Sequence, residues 1–176
     1  MSFKPKNISA ARYTATMGLL FAAAAALNML ESAFSAFLPA GMRVGLSNIV
    51  IMTAILSINL PSAALLVLLK AAAVLMTRGV TAGIMSLCGS FAAFLVTALL
   101  FRRSRCSYIL ISVLGAVAHS AGQLCTAAGI LGTPYVFAYA PVLVFASVGT
   151  GIFTGIVLKA VFPVLNAKII DINGKK

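Results

Sequence analysis

The sequence predicts an all-α integral membrane protein, a bundle of six transmembrane helices with both termini in the cytoplasm. Its 176 residues are 62% hydrophobic and 9% charged, with a mean hydropathy of +1.12. Such a chain has too little polar surface to cover a water-soluble globule. Its apolar residues fall into runs close to the ~20 residues that cross a bilayer core. No linker or low-complexity tract divides the chain, so we expect residues 1–176 to form a single transmembrane domain.

Charges, prolines and glycines separate the apolar runs and place the six helices. The first is predicted at about 13–37, ending at a Leu-Pro-Ala-Gly turn, and the second at about 44–59, ending before Pro61. The other four are predicted at about 62–77, 81–101, 108–130 and 137–162. The second and third helices are short for a membrane span.

Basic residues indicate the orientation, since loops rich in Lys and Arg stay in the cytoplasm. With the N-terminus inside, the cytoplasmic side receives Lys4, Lys6, Arg12, Arg102, Arg103, Arg105, Lys159, Lys168, Lys175 and Lys176. The outer side receives Arg43 and Arg78, and Lys70 lies within the third helix. This asymmetry predicts a multi-pass protein of the cell membrane, the bacterial plasma membrane, with an even number of spans.

The net charge of +11 could suggest a nucleic-acid-binding protein. The basic residues instead lie at the ends of apolar runs, where they contact lipid headgroups and set topology. We therefore expect membrane lipid, and no nucleic acid, as a partner.

Polar side chains inside apolar helices are costly and are functional candidates by default. The substrate-binding candidates are Asn28, Glu31, Arg43, Asn48, Lys70, Arg78, His119 and Gln123. The predicted orientation places most of them in the outer half of the bundle, where the cations would attract an anionic or phosphate-bearing solute. The alternative is structural: the arginines reach headgroups, Glu31 neutralises one of them, and His119 is a hydrogen-bonded core residue.

Several classes of enzyme are excluded by composition. The chain has one glutamate and one aspartate, Glu31 and Asp171, so it lacks the aspartate clusters that hold Mg²⁺ against a diphosphate. It has no phosphate-binding glycine loop, no Ser/His/Asp set, and no Cys or His at metal-ligand spacing. We predict no catalytic residues, no metal site and no cofactor, and a protein that is not an enzyme.

Small residues form stripes on two helices. Ala11, Ala15, Gly18 and Ala22 share one face of the first helix, and Gly149, Gly151 and Gly155 lie on the sixth. Such stripes let helices approach closely. Packing within the bundle accounts for the glycines, whereas the alanine stripe equally suits a partner protein.

Three segments carry a family resemblance: Gly41–Val50, Ala116–Gln123 and Gly149–Gly155, with Glu31 upstream. They resemble the Gx transporter family, whose members are labelled heptaprenyl diphosphate synthase component I and which is similar to the substrate-binding S components of energy-coupling factor (ECF) transporters. The chain departs from the family pattern at Ala40, Arg43 and Ser47, where proline, lysine and alanine are usual. The positive charge at position 43 is kept.

The resemblance implies a six-helix protein with an outward-facing pocket. It also implies docking through the first helix, where Ala11 and Ala15 match the small-xxx-small pattern of S components, onto a transmembrane coupling protein with ATPases. Our first hypothesis is therefore a subunit for uptake of a small anionic molecule, vitamin-like or related to isoprenoids and quinones. The alternatives are an accessory membrane subunit for prenyl diphosphate or quinone synthesis, and a component of flavin- or quinone-linked extracellular electron transfer.

Overall fold

The computed structural model describes residues 10–34, 45–103 and 107–174, and side chains within residues 10–32, 45–102 and 107–160. The described secondary structure is entirely helical. The helices are α1 (Ala10–Phe34), α2 (Asn48–Ser57), α3 (Leu60–Arg78), α4 (Val80–Arg103), α5 (Tyr108–Leu131) and α6 (Ala140–Gly174), with a 3₁₀ helix at Pro134–Tyr139 before α6.

Local sequence signals fix the helix boundaries. The Asn59 side chain caps α3 by accepting a hydrogen bond from the Ser62 N–H at 2.9 Å, with Pro61 in the first turn. Gly79, at φ +88°, turns the chain from α3 into α4, and Gly132, at φ +63°, ends α5 in the left-handed conformation. These boundaries lie within a few residues of the predicted ones.

Two predicted helices differ from the observed ones. α2 begins at Asn48 rather than near residue 44, because Gly45–Ser47 form a turn, and it ends at Ser57. α6 begins at Ala140, since Pro134–Tyr139 are wound as a 3₁₀ helix, and it continues to Gly174 rather than ending near residue 162. Pro163 removes one backbone donor, and the chain offers no further proline or glycine until Gly174.

Helices α1, α3, α4, α5 and α6 are long and apolar enough to cross a bilayer. The ten residues of α2 extend only about 15 Å, half of the hydrocarbon core. Each long helix turns large apolar side chains outward: Leu19, Met76, Leu99, Leu131 and Phe145. A surface of this kind is solvated by lipid, so the chain is a multi-pass membrane protein.

Helices α3 to α6 form a series of antiparallel neighbours joined by short connections. Glycines bring α5 and α6 together: a methyl group built on Gly151 would lie 2.6 Å from Cα of Val113, and one on Gly155 would lie 2.7 Å from Cα of Ile109. Gly149, the third member of the predicted stripe, has nothing within 4 Å. Two of the three glycines therefore serve bundle packing.

The short helix α2 lies at the centre of the fold and contacts all five long helices. Eight of its ten residues are buried. α1 packs on α2 and α3 and runs parallel to α3, with the Tyr13 hydroxyl 3.1 Å from Oγ of Ser62 near the start of both helices. The alanine stripe at Ala11 and Ala15 faces away from the bundle and is exposed.

Candidate functional site

The turn that precedes α2 carries the first part of the site. Glu31 reaches it from α1, and its carboxylate accepts hydrogen bonds from the backbone N–H of Leu46 and from Oγ of Ser47, the latter at 3.4 Å. These two donors lie in the turn just before α2, close to the positive end of the helix dipole, which favours a negative charge. Glu31 therefore fastens α1 to the start of α2.

Lys70 approaches the same end of α2 from α3. Its Nζ donates to Oδ1 of Asn48, the first residue of α2, at 3.4 Å. Lys70 is only 2% exposed and is the eleventh of the 19 residues of α3, so a cation lies at the middle of a candidate membrane span. The lysine and the amide form a polar contact inside the bundle.

His119 and Gln123 complete the cluster from α5. Both are buried and lie one helical turn apart, with their Nε2 atoms 3.1 Å from each other. A methyl group built on Gly45 would lie 2.9 Å from Nδ2 of Asn48 and 3.1 Å from Cδ2 of His119. Gly45 also has φ +87°, a conformation that favours glycine. This glycine therefore lets the turn pass between α2 and the imidazole.

We call Glu31, Asn48, Lys70, His119 and Gln123 the inner cluster. It joins α1, α2, α3 and α5 in the interior of the bundle, where the other described buried polar side chains, apart from Asn28, are serines and threonines. Glu31 and Lys70 carry opposite formal charges, and the N-terminal end of α2 adds a positive dipole to the cluster. This donor set suits recognition of a ligand better than chemical catalysis.

Asn28 and Arg78, two further predicted site residues, lie in a different place. They line a groove of about 130 Å³ between α1 and α3, toward the C-terminal ends of both helices. Asn28 is buried and Arg78 is partly exposed. Arg43, the eighth predicted residue, lies outside the described residues. The structure thus brings five of the predicted residues together and places two in a neighbouring groove.

The sequence reasoning missed two polar contributors. Ser47 is fully buried and bonded to Glu31, although it stands beside Asn48 in the segment that carries the family resemblance. Ser120, next to His119, lies 2.5 Å from Oγ of Ser147 on α6 and so ties the cluster to that helix. Ser47 stood out only as a departure from the family pattern, and Ser120 gave no distinctive signal, since serines in apolar helices are common.

A wide apolar groove of about 550 Å³ separates α1 from α6, with α2 at its floor. Apolar residues line nearly all of it: Leu19, Leu20, Ala23, Leu27, Leu30, Leu46, Ile49, Val50, Phe153, Val157 and Leu158, with Thr53 and Thr154. Within the described parts of the chain, no three His, Cys, Asp or Glu side chains gather as metal ligands.

Comparison with known families matches the sequence to a named group. A family model described as heptaprenyl diphosphate synthase component I covers residues 20–161, from within α1 to the end of the described α6 side chains. The chain belongs to this family. The predicted resemblance to heptaprenyl diphosphate synthase component I, the Gx transporter family, is therefore confirmed, and the match includes the whole inner cluster. No curated protein and no solved structure matches the sequence.

Proposed function

We propose that this chain is the substrate-binding membrane subunit of an uptake system similar to the ECF transporters, which takes in a small anionic molecule. The observation that carries the proposal is Lys70, a buried cation at the middle of α3, bonded to Asn48 at the N-terminal end of a half-length helix. A helix that begins inside a membrane bundle presents its positive dipole end to an anionic solute.

The energetic cost of Lys70 supports a functional role. Placing a lysine at the centre of a membrane helix costs about 2.5–3.5 kcal/mol on insertion scales. An apolar residue of similar volume would avoid that cost, so structure alone does not favour lysine here. A cation that meets an incoming anion accounts for it.

The other parts of the proposal concern partners and the ligand. The exposed stripe at Ala11 and Ala15 on α1 offers a close-approach surface for a transmembrane coupling protein, and associated ATPases would supply the energy. Both termini would then lie in the cytoplasm, with the groove of Asn28 and Arg78 toward the outside. The ligand class is a vitamin-like molecule or an anionic isoprenoid or quinone precursor, and the chain itself catalyses no reaction.

A second candidate function is favoured by the family description, which names a component of a prenyl diphosphate synthase. In that case the chain is a non-catalytic membrane subunit that recruits a soluble enzyme. Arg102, exposed near the end of α4, belongs to the basic loop that would receive it. This function makes no demand on Lys70.

The test compares wild type with Lys70→Met after gentle purification from the native membrane. Native mass spectrometry would identify the small molecule bound to wild type and the proteins that accompany it. We expect Lys70→Met to lose that molecule at least tenfold while staying folded, because methionine keeps the volume and removes the charge. Lys159→Met, at an exposed position on α6, is the charge-matched control and should bind as wild type does.

The outcomes separate the two functions. An ATPase pair with a coupling protein, together with a bound anion that depends on Lys70, supports uptake. A prenyl synthase captured equally by wild type and Lys70→Met, with no bound small molecule, would reject uptake in favour of the accessory role.

A further inference from the structure

Helix α4 turns two serine hydroxyls into the bundle. Ser86 and Ser90 lie one helical turn apart and are 1% and 0% exposed. Within the described part of the chain, neither Oγ has a hydrogen-bond partner. Buried polar atoms in folded proteins are nearly always paired, so two unpaired hydroxyls on one face of one helix need an explanation.

Other hydroxyls of this protein show that a helical position does not by itself leave a hydroxyl without a hydrogen-bond partner. Thr16, Thr53, Thr77 and Thr126 each donate to the carbonyl four residues earlier, at 2.7 to 2.9 Å. A serine in a helix can satisfy its hydroxyl in the same way. The hydroxyls of Ser86 and Ser90 make no such bond.

The register of the helices places both serines at the level of Lys70. A methyl group built on Gly83 would lie 2.7 Å from Cβ of Leu75, so residues equally far from Gly79 face each other in the α3–α4 hairpin. Lys70, nine residues before Gly79, is therefore level with residue 88, between Ser86 and Ser90.

The contact of α4 with α5 leads to the same place. A methyl group built on Gly89, the neighbour of Ser90, would lie 2.8 Å from Cγ of Gln123 and 3.0 Å from Cε1 of His119. Near the same imidazole lies the Nδ2 donor of Asn48, which is also buried and has no partner among the described residues. Three hydrogen-bonding groups that have no partner among the described residues thus lie on the elements that pack around His119 and Lys70.

We propose that Ser86, Ser90 and Nδ2 of Asn48 bind the oxygen atoms of the transported anion beside Lys70. Together with Nζ of Lys70, these groups fit a carboxylate or a phosphate, whose several oxygens accept hydrogen bonds at once. They do not fit a metal cation, since the amide and ammonium donors would repel it. This inference rests on the uptake function proposed above and names α4 as part of its binding site.

The test uses the double variant Ser86→Ala, Ser90→Ala with Ser57→Ala as control. Ser57 has an equally unpartnered buried hydroxyl, but it is the last residue of α2, nine residues or about 13.5 Å along the helix from Asn48. The probe is the small molecule that remains bound to wild type after purification from the native membrane, quantified by native mass spectrometry and classified by fragmentation as a carboxylate or a phosphate.

We expect the double variant to bind that molecule roughly tenfold or more weakly, because each substitution removes about one hydrogen bond to it. Ser57→Ala should hold it as wild type does. The melting temperature of the ligand-free double variant should be equal to or above that of ligand-free wild type, because alanine removes a buried polar group that had no partner.

Two results would overturn the inference in different ways. If wild type and the double variant bind the molecule equally, the serines are not part of the site, and the uptake function stands without them. If the wild-type chain carries no small molecule at all, the uptake function fails and the serine site fails with it. A lowered melting temperature in the ligand-free double variant would assign the hydroxyls to folding instead.

Discussion

Helices α4 to α6 and helix α1 are held in the bundle by different means. Where α4, α5 and α6 meet, backbones nearly touch: methyl groups built on Gly122 and Gly151 would lie 3.0 Å from the carbonyl oxygen of Cys88 and 2.6 Å from Cα of Val113. α1 contacts only α2 and α3 among the described helices, and a wide apolar groove separates it from α6. One side of the molecule is closely packed and the other is open.

Under the proposed uptake function, this difference would separate the part that binds from the part that moves. Glycine-mediated contacts leave little freedom, so α5 presents His119 and Gln123 from a fixed frame. α1 packs on α2 and α3 through Met17 and Ala24, and one of its polar contacts, through Glu31, ends at the inner cluster. We expect α1 to be the helix that shifts when a partner docks, and Glu31 to transmit that shift to the turn before α2.

The largest expected loss of stability comes from disrupting the close packing of α5 against α6. Gly151→Leu should destabilise the protein by about 3 kcal/mol, because its side chain would overlap the backbone of α5 at Val113 and force α5 and α6 apart. Thermal unfolding in detergent, with gel filtration to detect aggregation, measures this.

Gly149→Leu is the matched control on the same helix, since Gly149 has nothing within 4 Å. It should unfold close to the wild-type temperature. Equal damage from both substitutions would show that leucine harms α6 generally, and that the glycine contact with α5 is not what holds that side together.

An intermediate loss of stability is expected where Glu31 joins α1 to the turn before α2. Glu31→Ala leaves the Leu46 N–H and the Ser47 hydroxyl without their acceptor, at a cost of about 1–3 kcal/mol. Hydrogen exchange should speed up at residues 46–50 and along α1, and remain slow in α5.

Glu31→Gln, which keeps one acceptor oxygen, should restore part of the protection. If hydrogen exchange rises equally in α1 and α5, the idea that α1 shifts while α5 stays fixed is wrong. Unchanged exchange at Leu46 would contradict the role of Glu31 as the fastening.

The smallest loss of stability is expected at the N-terminal end of α1. Tyr13→Phe removes a single hydroxyl contact with Ser62, worth about 0.5–1 kcal/mol within a membrane bundle. Tyr135→Phe is the control, because Tyr135 is 83% exposed in the segment before α6. A thermal shift for Tyr13→Phe as large as that for Glu31→Ala would mean that both ends hold α1 equally.

Much of the fold followed from the sequence, because prolines, glycines and charges interrupt apolar runs wherever helices end. Asn59 with Pro61, Gly79 and Gly132 stand at three observed boundaries. The length of α2 could not be predicted in the same way. Its apolar run continues upstream, and the turn at Gly45–Ser47 depends on contacts with Glu31 and His119 from distant helices.

The sequence predicted which residues form the candidate site better than it predicted how they are arranged. Rare polar residues in apolar helices are conspicuous, so Glu31, Lys70, His119 and Gln123 could be selected without a structure. Which of these side chains come together depends on helix register, so the sequence could not predict that Arg78 lies in a separate groove. Ser86 and Ser90 were missed because serine in a helix usually bonds to its own backbone.

The short length of α2 also affects how the chain is made. Its ten residues extend about 15 Å and cannot cross a bilayer alone, and Lys70 makes α3 a costly segment to insert by itself. Only two residues separate the helices, so we expect them to leave the ribosome-bound translocation channel together as one hairpin, with Asn48 already beside Lys70. The pair that would later meet a solute would first shield a lysine from lipid during synthesis.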